Sequence, residues 1–436
     1  MKTDRSQEDA AIRPDSPAKS KKNTYLCIFV WLARLFVGAV FIVSGWAKAV
    51  DPSGFIIKTG EYLAAWNLQV PHEAIVAGCM ALAAVEFATG ILVATGCLKR
   101  VAVWCAAAIM AFMLPLTAYI FVANPVADCG CFGDLFIISN GATFAKNIVI
   151  SAVIVFLIMR NRSIGGAYAA PVQWLVATVS LAFPLLLSFI GYHVQPVVDF
   201  RPFTLGTTIF HPVADNNDAP EPTFIYEKDG QRRTFSLGQL PDDSWTYVDA
   251  QEVEDNDTPD IAVRDEDGDD ISTDLVSESD PQVWLIVPDP GMQFLSRSHM
   301  VNELYRYLRD RQIDFTAVVG NRGAAFQYWI DLTRPTFPVY SAEDTALQQL
   351  VRGSAAIVYT RAGKIVWKRT LSSIPDDLLQ QTPQQSDLDK PNVLDNVEPI
   401  DDGRLAMSLA FIFLAVLVGL YLLSLSPKLL RLITAR

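Results

Sequence analysis

Cysteine is scarce in this sequence of 436 residues, and its few occurrences are unevenly placed. All six cysteines lie before residue 132, so the long polar region that follows contains none. Domains exported to oxidising compartments commonly contain structural disulfides. The polar region must therefore be stable without them, and any thiol chemistry belongs to the N-terminal part of the chain.

Histidine and basic clusters are scarce as well. The four histidines lie away from the closely spaced cysteines, so we predict no metal site with Cys and His ligands. The acidic run at 265–270 lacks the ligand spacing of an EF-hand and is interpreted as a solvated turn. Because the formal net charge is -12 and no basic stripe occurs, we expect no nucleic-acid partner.

Hydrophobic residues, in contrast, make up 51% of the chain, which is too much for an ordinary soluble enzyme. A helix needs about 20 apolar residues to cross the hydrocarbon core of a bilayer. Runs of that length occur at 25–48, 73–95, 101–122, 142–159, 171–192 and 405–425. The sequence therefore predicts a membrane protein with six spans, which has the lipid bilayer as a partner.

Charge asymmetry around these runs predicts their orientation, because Lys and Arg collect on the cytoplasmic side of short loops. Basic residues precede the first run, connect the second to the third and the fourth to the fifth, and follow the sixth. Both termini are therefore predicted to be cytoplasmic. The segments 49–72, 123–141 and 193–404 would face outward from a bacterial inner membrane, into the periplasm.

Composition shifts predict the domain organisation. The membrane part divides into a four-helix domain at 24–162, a fifth helix at 170–193 and a sixth at 405–425. The polar parts are a disordered cytoplasmic tail, a connector with a small β-rich unit, an α/β domain, a linker and a basic cytoplasmic tail, at 1–23, 194–281, 282–375, 376–404 and 426–436.

The β-rich unit is predicted from short alternating segments. Thr223–Tyr226 and Arg233–Leu237 flank Asp229-Gly230, which is typical of a two-residue hairpin turn. Trp245–Val248 and Ile261–Val263 are further strand candidates. We therefore expect a small antiparallel sheet in this region.

From Gln282 onward the pattern is strand, helix, strand, helix, strand, strand. The predicted elements are Val283–Val287, Phe294–Leu308, Phe315–Val319, Asp344–Val351, Ala356–Tyr359 and Lys364–Trp367. This order resembles the thioredoxin fold. The loop in which a working thioredoxin has its Cys-x-x-Cys runs from Asp289 to Phe294 without cysteine, and the proline expected near Arg352–Ala356 is also missing. We expect this domain to bind an extracytoplasmic protein partner without exchanging dithiols itself.

The closest pair of cysteines, Cys129 and Cys131, is separated only by Gly130 in a predicted outward-facing loop. A disulfide across so short a span would be strained, and strained, accessible disulfides are the labile or catalytic ones. The alternatives are a structural disulfide and, less well supported, a metal site. Cys79 lies near the external end of the second predicted helix, where it is a candidate electron relay.

Charged residues around this pair bear on its reactivity. Asp128 and Asp134 flank the cysteines, and negative charge disfavours a thiolate. We therefore expect no resting thiolate unless a cation such as Lys48 or Lys146 approaches the loop.

Arg34 and Glu86 are charged residues deep within predicted membrane helices, where charges usually face the bundle interior and pair. Counted inward from the cytoplasmic helix ends, the two lie at nearly the same depth, so the sequence predicts a buried Arg34–Glu86 ion pair. Such a pair either fixes helix packing or handles protons or a quinone. Apart from a quinone, no cofactor is indicated.

Several of these residues together carry a family likeness. They are Arg34, Phe41, Ser44-Gly45, Lys48, the segment Glu86–Gly90 and, above all, Asp128-Cys129-Gly130-Cys131-Phe132-Gly133. About residues 25–160 resemble the DoxX-like superfamily and, within it, the methylamine-utilisation MauE family. The resemblance implies a four-helix membrane protein linked to maturation of a disulfide-rich partner.

The predicted fold is a membrane α-helical bundle, with a four-helix DoxX/MauE-like core and two further spans, joined to an extracytoplasmic thioredoxin-like α/β domain and a small β unit. The preferred function is a membrane thiol-disulfide redox or maturation factor that acts on extracytoplasmic proteins through Cys129 and Cys131. The alternative is a non-enzymatic membrane scaffold of an envelope complex, in which the loop disulfide is structural and the thioredoxin-like domain binds a partner.

Overall fold

The computed structural model describes residues 17–123, 130–133, 135, 138–160, 164–193, 197–198, 201, 203–209, 223–228, 231–236, 246–251, 261–276, 281–290, 298–321, 323–352, 355–374, 393–397 and 402–426. The chain divides into two compact units. One, termed the membrane unit, comprises Met1–Gly191 and Gly403–Arg436, and the other, termed the sheet unit, comprises Tyr192–Asp402. The turn Asp229-Gly230 and most of both predicted tails lie outside the described residues.

Helices dominate the membrane unit and alternate with strands in the sheet unit. They are α1 (Pro17–Val50), α2 (Pro52–Ala65), α3 (His72–Thr95), α4 (Lys99–Ala123), α5 (Asn140–Arg160), α6 (Gln173–His193), α7 (Ser298–Asp310), α8 (Ala324–Thr333), α9 (Asp344–Leu350) and α10 (Asp402–Leu425). Within the described residues, six segments are long and apolar enough to cross a membrane: Thr24–Val50, His72–Thr95, Lys99–Ala123, Asn140–Arg160, Ala170–His193 and Gly403–Leu425. They contain the predicted runs, so the protein is a multi-pass membrane protein.

Helix α2 was not predicted, because the segment 49–72 lies outside the long apolar runs that indicated helices. Its start follows a recognisable local rule: the Asp51 carboxylate accepts a 3.3 Å hydrogen bond from the Gly54 backbone N–H, and Pro52 occupies the first turn. An acidic N-cap followed by proline satisfies a free N–H and presets the helical backbone. α2 connects α1 to α3 and lies beside the cysteine turn described below.

Helices α1 and α3 pack closely against each other in the membrane unit. A Cβ added at Gly45 would lie 2.4 Å from the backbone nitrogen of Phe87, and one added at Gly90 would lie 2.7 Å from that of Ile42. Small residues allow membrane helices to approach this closely. The contact fixes the register of α1 against α3, and thereby determines which charged side chains meet.

Helix α10, although far away in sequence, packs against the other spans. Phe413 stacks on Phe183 with ring centroids 4.3 Å apart and also contacts Phe87. The Tyr168 hydroxyl donates a 3.1 Å hydrogen bond to the carbonyl oxygen of Leu417. The sixth span is therefore part of the bundle and not only an anchor.

Two sheets form the sheet unit. Strands β1 (Thr223–Lys228), β2 (Gln231–Ser236) and β3 (Thr246–Gln251) make an antiparallel sheet in the order β2-β1-β3. Strands β4 (Val263–Arg264), β5 (Pro281–Val287), β6 (Asp314–Gly320), β7 (Val339–Ala342), β8 (Ala356–Arg361) and β9 (Lys364–Thr370) make a mixed sheet in the order β4-β7-β6-β5-β8-β9. In the mixed sheet β5, β6 and β7 are parallel, whereas β4, β8 and β9 run antiparallel to their neighbours.

The predicted strands of the α/β domain are confirmed, with two additions and one correction. α8 and β7, between β6 and α9, were not predicted. Ile261–Val263 was expected in the small β unit, but Val263 pairs with Ala342 of β7 and so extends the mixed sheet. This assignment was wrong because the pairing partner had not been recognised as a strand.

The mixed sheet has a hydrophobic layer on each face. On β5, Val283 and Leu285 are buried in one layer, whereas Trp284 and Ile286 are buried in the other. Both layers recruit side chains from the predicted connector and linker, namely Phe203, Ile209, Ile261 and Leu394. The described part of this unit thus has two cores built without cysteine, as its composition requires.

Candidate functional site

The cysteine pair is only partly visible in the structure. Cys129, Asp128 and Asp134 lie outside the described residues, whereas Cys131 lies in a turn at 130–133. The Gly133 N–H donates a 3.0 Å hydrogen bond to the Gly130 carbonyl oxygen, and both glycines have positive φ, +56° and +64°. Glycine adopts this backbone without steric penalty, so the two glycines allow the tight turn that presents Cys131.

A buried ion pair lies next to this turn. The Lys48 ammonium of α1 is 2.6 Å from Glu86 Oε2 of α3, and the two side chains are only 1% and 5% exposed. Lys48 lies in the last turn of α1, where the helix dipole also favours a cation. Glu86 therefore pairs with Lys48, and the predicted Arg34–Glu86 pair is wrong.

The register of α1 against α3 explains this correction. A Cβ on Gly96, just beyond α3, would lie 2.6 Å from an Arg34 guanidinium nitrogen, so Arg34 faces the end of α3 and not Glu86. The guanidinium donates hydrogen bonds to the carbonyl oxygens of Gly165 (2.7 Å) and Ile164 (3.1 Å). Counting residues from assumed helix ends misplaced Arg34, because α1 begins at Pro17, well before the expected start.

Ser44 joins the ion pair to the cysteine turn. Its hydroxyl oxygen accepts a 2.9 Å hydrogen bond from the Lys48 ammonium. The hydroxyl lies 2.9 Å from Glu86 Oε2 and 2.8 Å from the Cys131 carbonyl oxygen, so its single proton can be donated to either acceptor. The position of the Cys131 backbone is thereby coupled to a buried charged group.

These groups line one cavity with an empty volume of about 390 Å³, part of which is open to the surroundings. Its polar wall is formed by Ser44, Lys48, Glu86, Cys131, Lys146 and Asn147. Apolar side chains of α1, α4 and α5 form the rest of the wall. The cavity thus combines charged and apolar side chains next to Cys131.

Lys146 brings a second cation to the turn from α5. Its ammonium lies 4.2 Å from the centroid of the Phe132 ring, in cation–π geometry next to Cys131. The approach of Lys48 or Lys146 was the condition under which the sequence allowed a thiolate, and both line the cavity with Cys131. The described charges around Cys131 are thus two lysines against one carboxylate, which favours an anion.

Cys79, the candidate relay, is buried on α3 and faces α2. Its thiol sulfur is 3.4 Å from the Thr59 hydroxyl oxygen. The neighbouring Lys58 packs along the turn, because a Cβ on Gly130 would lie 3.5 Å from Lys58 Cγ. Cys79 and the turn thus contact successive residues of α2, and the relay role stays a prediction.

Ser44 and Asn147 are site residues that sequence reasoning did not assign to the site. Ser44 precedes Lys48 by four residues, a spacing that places both on one helix face. The buried Asn147 amide donates a 3.2 Å hydrogen bond to the Thr117 hydroxyl, which joins α5 to α4. A polar stripe on an otherwise apolar span was the available signal for both. Over the described residues no cluster of metal-ligating side chains occurs, and the expectation of no metal site stays a prediction.

Comparison with known families is informative for the part of the chain that carries this site. Residues 26–160 match the family model of methylamine utilisation protein MauE, and residues 220–254 match a domain of unknown function (DUF8463). No curated protein and no solved structure matches the chain. The MauE match contains every residue of the cavity wall. The site therefore lies in a region similar to MauE, within a multi-pass membrane protein.

Proposed function

We propose that this protein is a membrane thiol-disulfide redox or maturation factor that acts on extracytoplasmic proteins through Cys129 and Cys131. The observation that carries the proposal is the 2.8 Å contact between the Ser44 hydroxyl and the Cys131 carbonyl oxygen, next to a buried Lys48–Glu86 pair. A charged pair costs free energy to bury in a membrane, and such groups are usually functional. A turn with a merely structural disulfide would not need one.

The exchange would proceed through a mixed disulfide. A substrate thiolate attacks one sulfur of the Cys129–Cys131 disulfide, and the other sulfur leaves as a thiolate. A second substrate thiolate then attacks the mixed disulfide, which forms the substrate disulfide and leaves the loop as a dithiol. Two electrons pass to the loop in each cycle, and the two protons released by the substrate thiols re-protonate the loop thiolates.

Reoxidation of the loop needs a two-electron acceptor, for which a lipid-soluble quinone is our candidate. The cavity offers hydrogen-bond donors in Lys146 and Asn147, and apolar side chains of α4 beside them. Carbonyl oxygens on an apolar ring suit such a wall. When bound, a quinone would supply the oxidising power, while Lys146 and Asn147 would orient it. Cys79 is the further thiol through which electrons could pass.

The sheet unit would serve as the docking domain for the protein substrate. Its order of parallel β5 and β6 followed by antiparallel β8 and β9 supports a thioredoxin-like assignment. The residues Asp289 and Pro290, after β5, are not cysteines. Such a domain can bind a partner but cannot exchange dithiols. The basic flanks of the spans support an inner-membrane location with both termini cytoplasmic and the sheet unit periplasmic.

Replacement of the loop cysteines tests the proposal. In cells that produce Cys129→Ser or Cys131→Ser in place of the parent chain, at least one exported protein should accumulate free thiols. The measurement is mass-tagged maleimide labelling of periplasmic proteins. Cys105→Ser is the matched control, because Cys105 lies on α4 and is not part of the cavity wall.

Two results would contradict the proposal. One is an unchanged thiol state of every exported protein in both variants. The other is a loop pair that stays fully oxidised in intact cells and resists mild reductant, which would indicate a structural disulfide in a membrane scaffold.

A further inference from the structure

The Lys48–Glu86 pair is fixed in place and cannot easily separate. The α1–α3 backbones touch at Gly45, one turn of helix before the lysine, and a Cβ there would lie 2.7 Å from the Ala83 carbonyl oxygen. Lys48 and Glu86 are almost completely shielded from water. Their charges therefore act on neighbouring groups with little screening.

Described charges from four helices lie near the cysteine turn. α1 contributes Lys48, α3 contributes Glu86 and α5 contributes Lys146. Lys58 of α2 packs beside Gly130, but its ammonium is 3.4 Å from the Glu61 carboxylate, which offsets its charge. The loop residues Cys129, Asp128 and Asp134 lie outside the described residues. Glu86 thus compensates one of the two cations that line the cavity with Cys131.

We infer that the Lys48–Glu86 pair controls the fraction of Cys131 that is present as thiolate. In this scheme Glu86 offsets the positive charge of Lys48 and so lowers that fraction. Lys48 and Glu86 are positioning residues in this scheme, since Ser44 links them to the Cys131 backbone and both line the same cavity as Cys131. The inference rests on the proposed use of Cys131 as a reactive thiol. It predicts that loss of Lys48 and loss of Glu86 shift the pH at which Cys131 ionises in opposite directions.

Shifts of opposite sign in the ionisation of Cys131 would distinguish this electrostatic role from a structural one. Loss of Glu86 leaves Lys48 uncompensated beside Lys146, so Cys131 should ionise at lower pH. Loss of Lys48 removes one of the two cations from the cavity wall and leaves the Glu86 carboxylate with Lys146, so Cys131 should ionise at higher pH. A pair that only held the helices together would, on loss of either partner, disturb the turn in the same way.

The test is the pH profile of Cys131 alkylation in the full chain, reduced and held in membrane vesicles. Cys129→Ser is the parent, which keeps Cys131 as a thiol, and peptide-resolved mass spectrometry separates it from the other cysteines. Glu86→Gln should lower the pH of half-maximal rate by about one unit, so that alkylation below the midpoint is about tenfold faster. Lys48→Met should raise it by a similar amount.

Three further variants complete the design. The double variant Lys48→Met/Glu86→Gln should return the midpoint close to that of the parent. Lys146→Met, at a partly exposed position, should raise the midpoint and replaces the Lys48 variant if that chain does not accumulate. Glu73→Gln removes an exposed carboxylate from the first turn of the same helix α3 and should leave the profile unchanged.

The inference is overturned if Glu86→Gln leaves the midpoint unchanged or raises it, or if the lysine variants shift it in the same direction as Glu86→Gln. Alkylation needs neither a protein partner nor an electron acceptor. A Cys pair that never turns over would therefore contradict the proposed function and leave this result standing, so the two failures are distinguishable.

Discussion

The membrane unit and the sheet unit have interiors of different kinds. In the membrane unit a fully buried Arg34, a Lys48–Glu86 pair and a hydroxyl network lie among apolar helices. In the sheet unit the largest fully buried side chains are Trp284, Trp329, Trp367 and Tyr359. Buried aromatic residues contribute stability at low polar cost, whereas buried charges are expensive. The charged side chains with the least exposure, Arg34 and Lys48, thus belong to the membrane unit, whereas Arg201 and Arg352 of the sheet unit are each 6% exposed.

The largest effect is expected from truncation in the core of the mixed sheet. Leu285 is fully buried, and its strand β5 lies between β6 and β8. Leu285→Ala should therefore lower the free energy of unfolding of the sheet unit by about 2–5 kcal/mol. Limited proteolysis of the full chain across a denaturant series measures this change. Val366→Ala, at a 39% exposed position on β9, is the control. Equal protease sensitivity in the two variants would contradict the assigned core.

A smaller loss is expected from a methyl group at the α1–α3 contact. Gly45→Ala places a Cβ 2.4 Å from the Phe87 backbone nitrogen, so the helices must separate, at about 1–3 kcal/mol. The thermal midpoint in detergent should fall and Cys131 alkylation should change, since the Lys48–Glu86 pair depends on this contact. At Gly60, where nothing lies within 4 Å of an added Cβ, alanine should be harmless. A tolerated Gly45→Ala would refute the helix register.

In both units the sequence predicted local elements but not the long-range contacts between them. The six spans and the central strands were predictable, because hydropathy and strand alternation are local signals. The partner of Glu86 was not, because it depends on the α1–α3 register, which is set by glycine contacts such as those of Gly38 and Gly90. β4 was misassigned for a similar reason, since its partner β7 is a short strand of four residues. Long-range pairing decided both of these cases, whereas α2 was missed although its N-cap is a local signal.

The smallest effect concerns the segment 393–397, which belongs to the sheet unit and packs on the mixed sheet. The Tyr359 hydroxyl donates a 2.6 Å hydrogen bond to the Asp395 carboxylate. Burial and this carboxylate raise the pKa of Tyr359 from 10.0 to about 12. The unfolded chain therefore loses its tyrosine proton at lower pH than the folded chain, so this contribution is present below about pH 10 and is lost as the pH approaches 12.

Tyr359→Phe checks this assignment. The variant should be less stable by about 1 kcal/mol at neutral pH and should lose less stability than the parent above about pH 10. Denaturant midpoints of the full chain at several pH values measure both effects. Tyr328→Phe, at an exposed tyrosine, is the control. An alkaline stability loss that is identical in parent and Tyr359→Phe would show that another group is responsible.

The central claim is that the Cys129–Cys131 loop exchanges disulfides with an extracytoplasmic protein, and trapping of a mixed disulfide tests it most directly. The lone loop thiolate of Cys129→Ser or Cys131→Ser can attack a disulfide of an exported protein, which releases one of its sulfurs as a thiolate. No second loop cysteine is present to resolve the mixed disulfide, so a reductant-sensitive covalent adduct should accumulate. Non-reducing electrophoresis followed by mass spectrometry identifies the adduct. We expect an adduct in at least one single variant and none in the double variant. No adduct in either single variant, with both chains inserted in the membrane, would contradict it.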